Sequence, residues 1–303
     1  MKIGKMKQGF LIGGGLMLAG LVLQMALGPV RWELLAFPAN VILLAAGLAL
    51  IGVMYALRKK VGLFEWMMHL DAAVPAVCYA LALTIVMGLV AQVEEDGIPW
   101  LSRMTSFWPF VLAYAWMMVI VGLASLNHLM HFTAREIPFL LNHLGLFLAL
   151  VCGVLGAPDT RELLLTVSEG ETQWQAENEA GEVFDLDLGL ELHDFIMEEY
   201  PPQPGSKMRV PKRFASEVTV HTKQGAAREA TIEVNKPLKV HGWNIYQYDY
   251  DEEAGTESTV SVLQLVKDPW LPFVYTGIYM MLAGAVSLLF FVAPRPKERR
   301  NKR

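Results

Sequence analysis

The chain of 303 residues is 54% hydrophobic but only 18% charged, against roughly 25% charged residues in soluble globular domains. The shortfall is local: residues 157–269 hold 10 Lys or Arg and 22 Asp or Glu, a net charge of −12 that leaves the rest of the chain at +7. Such segregation excludes a single soluble globule, and the acidity of the charged block excludes nucleic acid as a partner.

In chain order, apolar runs at 9–28, 35–57, 72–93, 107–126, 139–156 and 270–293 approach the length of about 20 residues that the hydrocarbon core demands. The first is too long for a signal-peptide core and more spans follow it, so no cleavable leader is expected. Lys2, Lys5 and Lys7 precede the first run, Arg58, Lys59 and Lys60 follow the second, and Arg135 separates the fourth from the fifth. The tail adds Arg295, Lys297, Arg299, Arg300, Lys302 and Arg303, whereas the opposite loops carry only Arg31 and Arg103, the latter after the acidic run Glu94, Glu95 and Asp96. If every run crosses, the positive-inside rule puts both termini in the cytoplasm and residues 157–269 outside it. Trp32, Trp66, Trp100, Trp108 and Trp270 fall near the ends of the runs and are read as interface anchors.

Between the fifth and sixth runs the hydrophobic period changes to two. Segments 163–167, 183–192, 218–222, 230–234, 245–250 and 259–266 read as half-buried strands, punctuated by Gly170, Gly181, Gly225, Gly242 and Gly255. Pro201, Pro202, Pro204 and Gly205 form a break, read as a long loop between two halves of the sheet. The expected architecture is a polytopic α-helical membrane protein of about six transmembrane helices with an extracytoplasmic all-β domain, a sandwich or open barrel. Its parts are a five-helix region at 1–156, the acidic β domain at 157–269, a sixth helix at 270–293 and a basic cytoplasmic tail at 294–303.

No catalytic constellation is legible. Cys78 and Cys152 both lie in apolar runs, where cysteine behaves as a small hydrophobe, and CxxC and CxxCH motifs are absent. His193, His221 and His241 are too far apart in the β block to claim a metal site. Four other histidines map near the expected cytoplasmic boundary: His69, His128, His131 and His143. His143 is the sharpest, because it sits inside the fifth run beside Asn142, where an ionisable group is costly unless paired, ligated or facing a cavity. Neutral imidazole is also a common axial ligand of haem iron. Against this stand plain structural roles: His128 and His131 as helix-end residues, His69 as a solvated loop histidine beside Asp71.

Three stretches resemble a known family. They are His143-Leu144-Gly145-Leu146 with Gly153, Gly156 and the later Ser168-Glu169-Gly170-Glu171; then Phe214-Ala215-Ser216-Glu217-Val218; and finally Val234-Asn235-Lys236-Pro237-Leu238 with Gly242-Trp243-Asn244-Ile245-Tyr246-Gln247 and Asp268-Pro269. Together, over about 139–290, they resemble the ResB-like (CcsB) family of cytochrome c biogenesis proteins. The resemblance implies a subunit of a membrane haem lyase (holocytochrome c synthase) that handles haem b as transient cargo in the bacterial inner membrane. It further implies a CcsA-like membrane partner and an apocytochrome c client. His143 matches the family motif best, His69 competes with it, and His128 and His131 follow. Asn235, Pro237, Gly242, Tyr246 and Gln247 are implied to shape the outer domain, with a turn at Asn-Lys-Pro-Leu. The tryptophan-rich outer segment of the CcsA-like half is missing, which implies one subunit of a two-part synthase. Two readings from other classes stay open: a haem-bearing, quinol-linked electron-transfer subunit, and a structural assembly factor without haem contact.

Overall fold

The structure is a computed structural model that describes residues 3–92, 100–200 and 211–291. The acidic run at 94–96, the Pro201–Gly205 break and the basic tail at 294–303 lie outside the described residues. The chain divides into two compact units, Met1–Pro158 with Trp270–Arg303, and Asp159–Pro269.

The first unit is helical: α1 (Ile3–Leu27), α2 (Ala39–Leu57), the short α3 (Gly62–Trp66), α4 (Leu70–Leu89), α5 (Trp108–Met130), α6 (Ile137–Gly156) and α7 (Leu271–Phe291). All but α3 are long and apolar enough to cross a membrane, so the protein is a polytopic helical membrane protein with a separate β domain. The second run was expected to start at 35, but a 3-10 turn occupies Trp32–Leu35 and α2 begins only after its N-cap Pro38. Proline lacks the N–H that a helix interior requires, so the start of a helix suits it.

The helical core gathers Ile51, Met54, Tyr55, Trp66, Ala72, Ala76, Trp116, Ile120 and Leu123. Trp66, expected at the interface, is only 6% exposed and packs inside this core. Its place on α3, folded back against the bundle, removes it from the surface. The indoles of Trp32 and Trp108 donate to the carbonyls of Thr105 and Gly28. Both membrane asparagines are satisfied, Asn40 Nδ2 by Leu155 O at 2.9 Å and Asn142 Nδ2 by Pro138 O at 2.8 Å. An unmet amide in hydrocarbon costs several kcal/mol.

Helices α6 and α7 approach through glycine. A Cβ added to Gly145 would lie 2.6 Å from Gly277 O, and one on Gly277 would lie 2.5 Å from Gly145 O. Small residues permit such backbone contact, and in lipid dispersion and close packing, rather than the hydrophobic effect, drive helix association. Gly145 is therefore filled by a neighbouring helix of the same chain, whereas Gly153 has nothing within 4 Å.

The second unit is one antiparallel sheet of β1 (Arg161–Ser168), β2 (Thr172–Glu177), β3 (Val183–Glu199), β4 (Pro211–Thr222), β5 (Ala227–Glu233), β6 (Leu238–Val240), β7 (Trp243–Tyr250) and β8 (Val260–Lys267), in the spatial order β5-β4-β3-β2-β1-β8-β7-β6. Alternation puts Leu163, Leu165, Val167, Leu186, Leu188, Leu190, Leu192, Val218, Val220, Ile245, Leu263 and Leu265 into one core. The sheet curls on itself: Ser216 of β4 reaches Gln247 of β7 at 2.6 Å and Ser261 of β8 at 2.7 Å, although these strands are far apart in the order. Strands β3 and β4 pair directly, down to Glu199 against Pro211. The strands on either side of the break, β3 and β4, are therefore direct neighbours in the sheet and not members of two separate halves.

Two turns explain the residues of the third resembling stretch. His241 (φ 50) and Gly242 (φ 82) are the two central residues of the β6–β7 hairpin, flanked by the pair Val240 and Trp243. Positive φ at both positions is the type I′ geometry that matches strand twist, and glycine meets it without strain. Asn235 takes φ 66 just before Pro237, where asparagine tolerates the left-handed region. On β7, Trp243, Ile245 and Gln247 point inward while Tyr246 and Tyr248 are exposed.

At the β3–β4–β5 end, Arg213 bridges Glu198 at 3.3 Å and Glu233 at 2.6 Å, with Lys212 on Glu198 and Lys236 on Glu233. Lys212 first and Arg213 second hold Glu198 below the ordinary glutamate value of 4.5; Lys236 and then Arg213 do the same for Glu233. A carboxylate with a depressed folded pKa stabilises above its unfolded value, and that contribution disappears as pH falls through the folded one. The melting temperature of this domain should therefore drop on acidification below about pH 4.5. Arg213→Gln should flatten that acid limb, as read by tryptophan fluorescence between pH 7 and pH 3. The groups are surface-exposed, so the effect should be modest and weaken with salt.

Candidate functional site

The turn between α5 and α6 brings His128, Glu136 and His143 into one neighbourhood. His128 lies two residues from the end of α5, Glu136 caps α6, and Phe139 and His143 follow one turn apart on α6. The rings form a column. Phe139 stacks on His143 with centroids 3.7 Å apart and 12° between planes, and on His128 at 3.7 Å and 27°. Two imidazoles at that distance have no room on one face of a benzene ring, so they occupy opposite faces with Phe139 as the middle layer. Each stacked pair contributes on the order of 1 kcal/mol beyond its buried area.

Hydrogen bonds assign the ring protons. His143 Nδ1 faces Phe139 O at 3.0 Å, and a carbonyl only accepts, so Nδ1 carries the hydrogen. His128 Nδ1 donates to Glu136 Oε2 at 2.6 Å, and His131 Nδ1 to Asn127 O at 2.8 Å. With Nδ1 so committed, Nε2 is the nitrogen each ring has left for another partner. Metal-binding histidines show the same division, one nitrogen anchored to a carbonyl or carboxylate and the other left for the metal.

Of the four candidate histidines, the structure brings His128 and His143 together through Phe139. His131 is exposed at the end of α5, and His69 is exposed at the N-cap of α4 without a side-chain capping bond. Among the described residues no group of three or more His, Cys, Asp or Glu stands where it would hold a bare metal ion. One or two imidazoles with free Nε2 atoms are nevertheless the donor set that haem iron takes, since its remaining ligands come from the porphyrin. The residues present fit haem. Phe139 and Glu136 were not singled out from the sequence. The i, i+4 spacing of Phe139 and His143 was a readable signal, whereas the His128–Glu136 pair needs the helix hairpin to be seen.

The β unit has a separate cavity of about 510 Å³ at one end of its core, lined by Arg161, Leu163, Phe184, Leu186, Trp243 and Lys267 among others. Its lining includes the basic Arg161 and Lys267 and the acidic Glu162, Asp185 and Asp187, and the Lys267 ammonium lies 5.4 Å from the Trp243 ring centre.

No curated protein matches this sequence. Among solved structures, one titled "Cytochrome c Heme Lyase CcmF" aligns with a TM-score of 0.35 and 14% identity over 84% of this chain. The chain spans about half that structure's length, 46%. The match to a family is more specific, covering residues 133–262 with the ResB-like family. That stretch contains Glu136, Phe139 and His143, leaves out His69, His128 and His131, and continues into β8. From the turn before α6 to the first residues of β8, the chain is similar to the ResB-like family, the same stretch that carries the resemblance in its sequence motifs.

Proposed function

We propose that the protein is a ResB/CcsB-like subunit of a membrane complex that delivers haem and attaches it to cytochrome c. The observation that carries this reading is His143: an imidazole within an apolar helix of the ResB-like segment, its Nδ1–H committed to Phe139 O and its Nε2 without a hydrogen bond among the described residues. A group so placed in a membrane helix is costly unless it has work to do.

In this reading the protein lies in a bacterial cytoplasmic membrane with both termini inside and the β domain outside. Lys5, Lys7, Arg58, Lys59, Lys60 and Arg135 support that orientation. The α5–α6 turn then faces the cytoplasm, and His143 offers Nε2 to haem arriving from that side. Haem and the client supply the covalent chemistry: each cysteine thiol adds across a vinyl group, sulfur to one carbon and hydrogen to the other. This chain contributes axial ligation and positioning, and a CcsA-like partner completes the synthase. His69 remains the alternative ligand. The acidic β domain serves to orient the partner or the client.

The electron-transfer reading needs two imidazoles fixed on one iron, and Phe139 between His128 and His143 disfavours a permanently assembled pair. Purification with and without a CcsA-like partner, followed by haem spectra and a holocytochrome assay, tests the proposal. His143→Ala should cut co-purified haem and holocytochrome at least tenfold. Unchanged haem and maturation in both His143→Ala and His143→Ala/His69→Ala would leave only the assembly-factor reading.

A further inference from the structure

Independently of the haem-handling reading, we propose that the cavity at the end of the β core binds the phosphoethanolamine headgroup of a membrane phospholipid. The strand register builds its cationic side. Arg161 of β1 stands directly opposite Lys267 of β8. Continuing the pairing of Asn244 with Val266 by one residue sets Trp243 of β7 opposite Lys267 as well. Residues directly opposite share a face, and the buried Leu163, Leu265 and Trp243 show that this face is the one toward the core. Two cations are therefore neighbours on the inward side of the sheet, an arrangement that like-charge repulsion disfavours. Neither has a carboxylate partner among the described residues. Trp243 is 5% exposed, and its indole N–H has no acceptor among them either.

All three groups are donors and two are charged, whereas a phosphodiester offers a negative charge and acceptor oxygens alone. Leu163, Phe184, Leu186 and the Trp243 ring supply apolar walls. The volume of about 510 Å³ falls within the range of small-molecule sites, roughly 300–1,000 Å³. Glu162, Asp185 and Asp187 give the lining its second sign. A purely anionic headgroup would meet these carboxylates, and a purely cationic one would meet Arg161 and Lys267. A phosphate and a primary ammonium joined by two carbons answer both. Asp185 already accepts from Gln175 Nε2 at 2.8 Å, which leaves Glu162 and Asp187 to receive the ammonium.

Chain length favours a lipid over a soluble phosphate ester. Arg161 lies five residues after Gly156, the last of α6, and Lys267 lies four before Leu271, the first of α7. Fully extended, such tethers span at most about 18 Å and about 14 Å. The headgroup layer outside the hydrocarbon core is itself about 5–8 Å deep on each side. Both cations are thus tethered within reach of that layer. A bound headgroup gives the β unit a hold on the lipid besides its two tethers.

The test uses native mass spectrometry of the full chain in detergent, titrated with phosphatidylethanolamine, phosphatidylcholine or phosphatidylglycerol of one acyl composition. Wild type should bind phosphatidylethanolamine about tenfold more tightly than either of the others. Arg161→Gln and Lys267→Gln should each abolish that preference. Glu162→Gln/Asp187→Asn should bring phosphatidylethanolamine down to the level of phosphatidylcholine, whose quaternary ammonium has no N–H to donate. Arg161→Gln relieves the like-charge pair, so its thermal melt should match or exceed that of wild type; if either cation variant melts low, the other carries the comparison. Equal affinity for the three lipids, or a preference that survives in a folded cation variant, overturns the site. Displacement of the lipid by equimolar O-phosphoethanolamine or inorganic phosphate overturns the lipid as its source. Each of these results leaves the His143 reading, with its separate haem readout, where it stood.

Discussion

Gly277→Val is expected to unseat α7 from α6 and to lower stability in detergent by about 3 kcal/mol or more, at the upper end of overpacking costs. The first atom of the new side chain would meet the Gly145 carbonyl at 2.5 Å and the Ala149 backbone nitrogen at 2.7 Å. Neither is a flexible side chain that can step aside, so the helices must separate. Gly145→Val should act alike, since its Cβ meets Gly277 O from the other direction. Gly153→Ala is the control: nothing lies within 4 Å, and alanine is a better helix former by up to about 1 kcal/mol. Melts that fall sharply for the first two variants and hold or rise for the third would establish the glycine interface. Equal melts for all three would refute it.

Gln247→Leu should destabilise the β domain by about 2–3 kcal/mol, because it breaks a buried polar network and leaves its partners behind. Gln247 is 8% exposed; its Oε1 accepts from Ser216 Oγ at 2.6 Å, and its Nε2 donates to Asp249 O and Ser261 Oγ, each at 3.0 Å. Ser216 and Ser261 are both fully buried. These bonds tie β4 to β7 and β8 across the curl of the sheet. The double variant Gln247→Leu/Ser216→Ala should lose less than the sum of the singles, since the second change removes a hydroxyl that the first left short of a partner. Additive losses in denaturant titrations would mean that Gln247 and Ser216 act independently.

The helices were legible because lipid imposes a length and an apolarity that few other structures share, and runs such as 107–126 against Trp108–Met130 needed only their ends adjusted. The strands were legible where one face is buried. Strand β2, Thr-Gln-Trp-Gln-Ala-Glu, escaped because only Ala176 is buried, so its period-two signal vanishes in polar side chains. Strand β6 is three residues long, too short to show a period. His143 stood out from its apolar setting alone. The column around it did not, since His128 and Phe139 meet only after α5 and α6 fold back on each other, and sequence spacing across a turn does not specify ring orientation. On β7 the inward positions include Gln247, a glutamine where an apolar residue would be expected, and its role shows only once β4 and β8 close on it.

The pairing of β1 with β8 has a mechanical meaning. Arg161 opposes Lys267, so the chain enters and leaves the β domain at the same end of one antiparallel ladder. Pulling the two tethers apart would load that ladder one hydrogen-bonded pair at a time, like a zipper, which is the direction in which such a ladder resists least. The tethers continue into α6 and α7, the two helices pinned by Gly145 against Gly277. That pin holds together the two helices from which the chain enters and leaves the ladder.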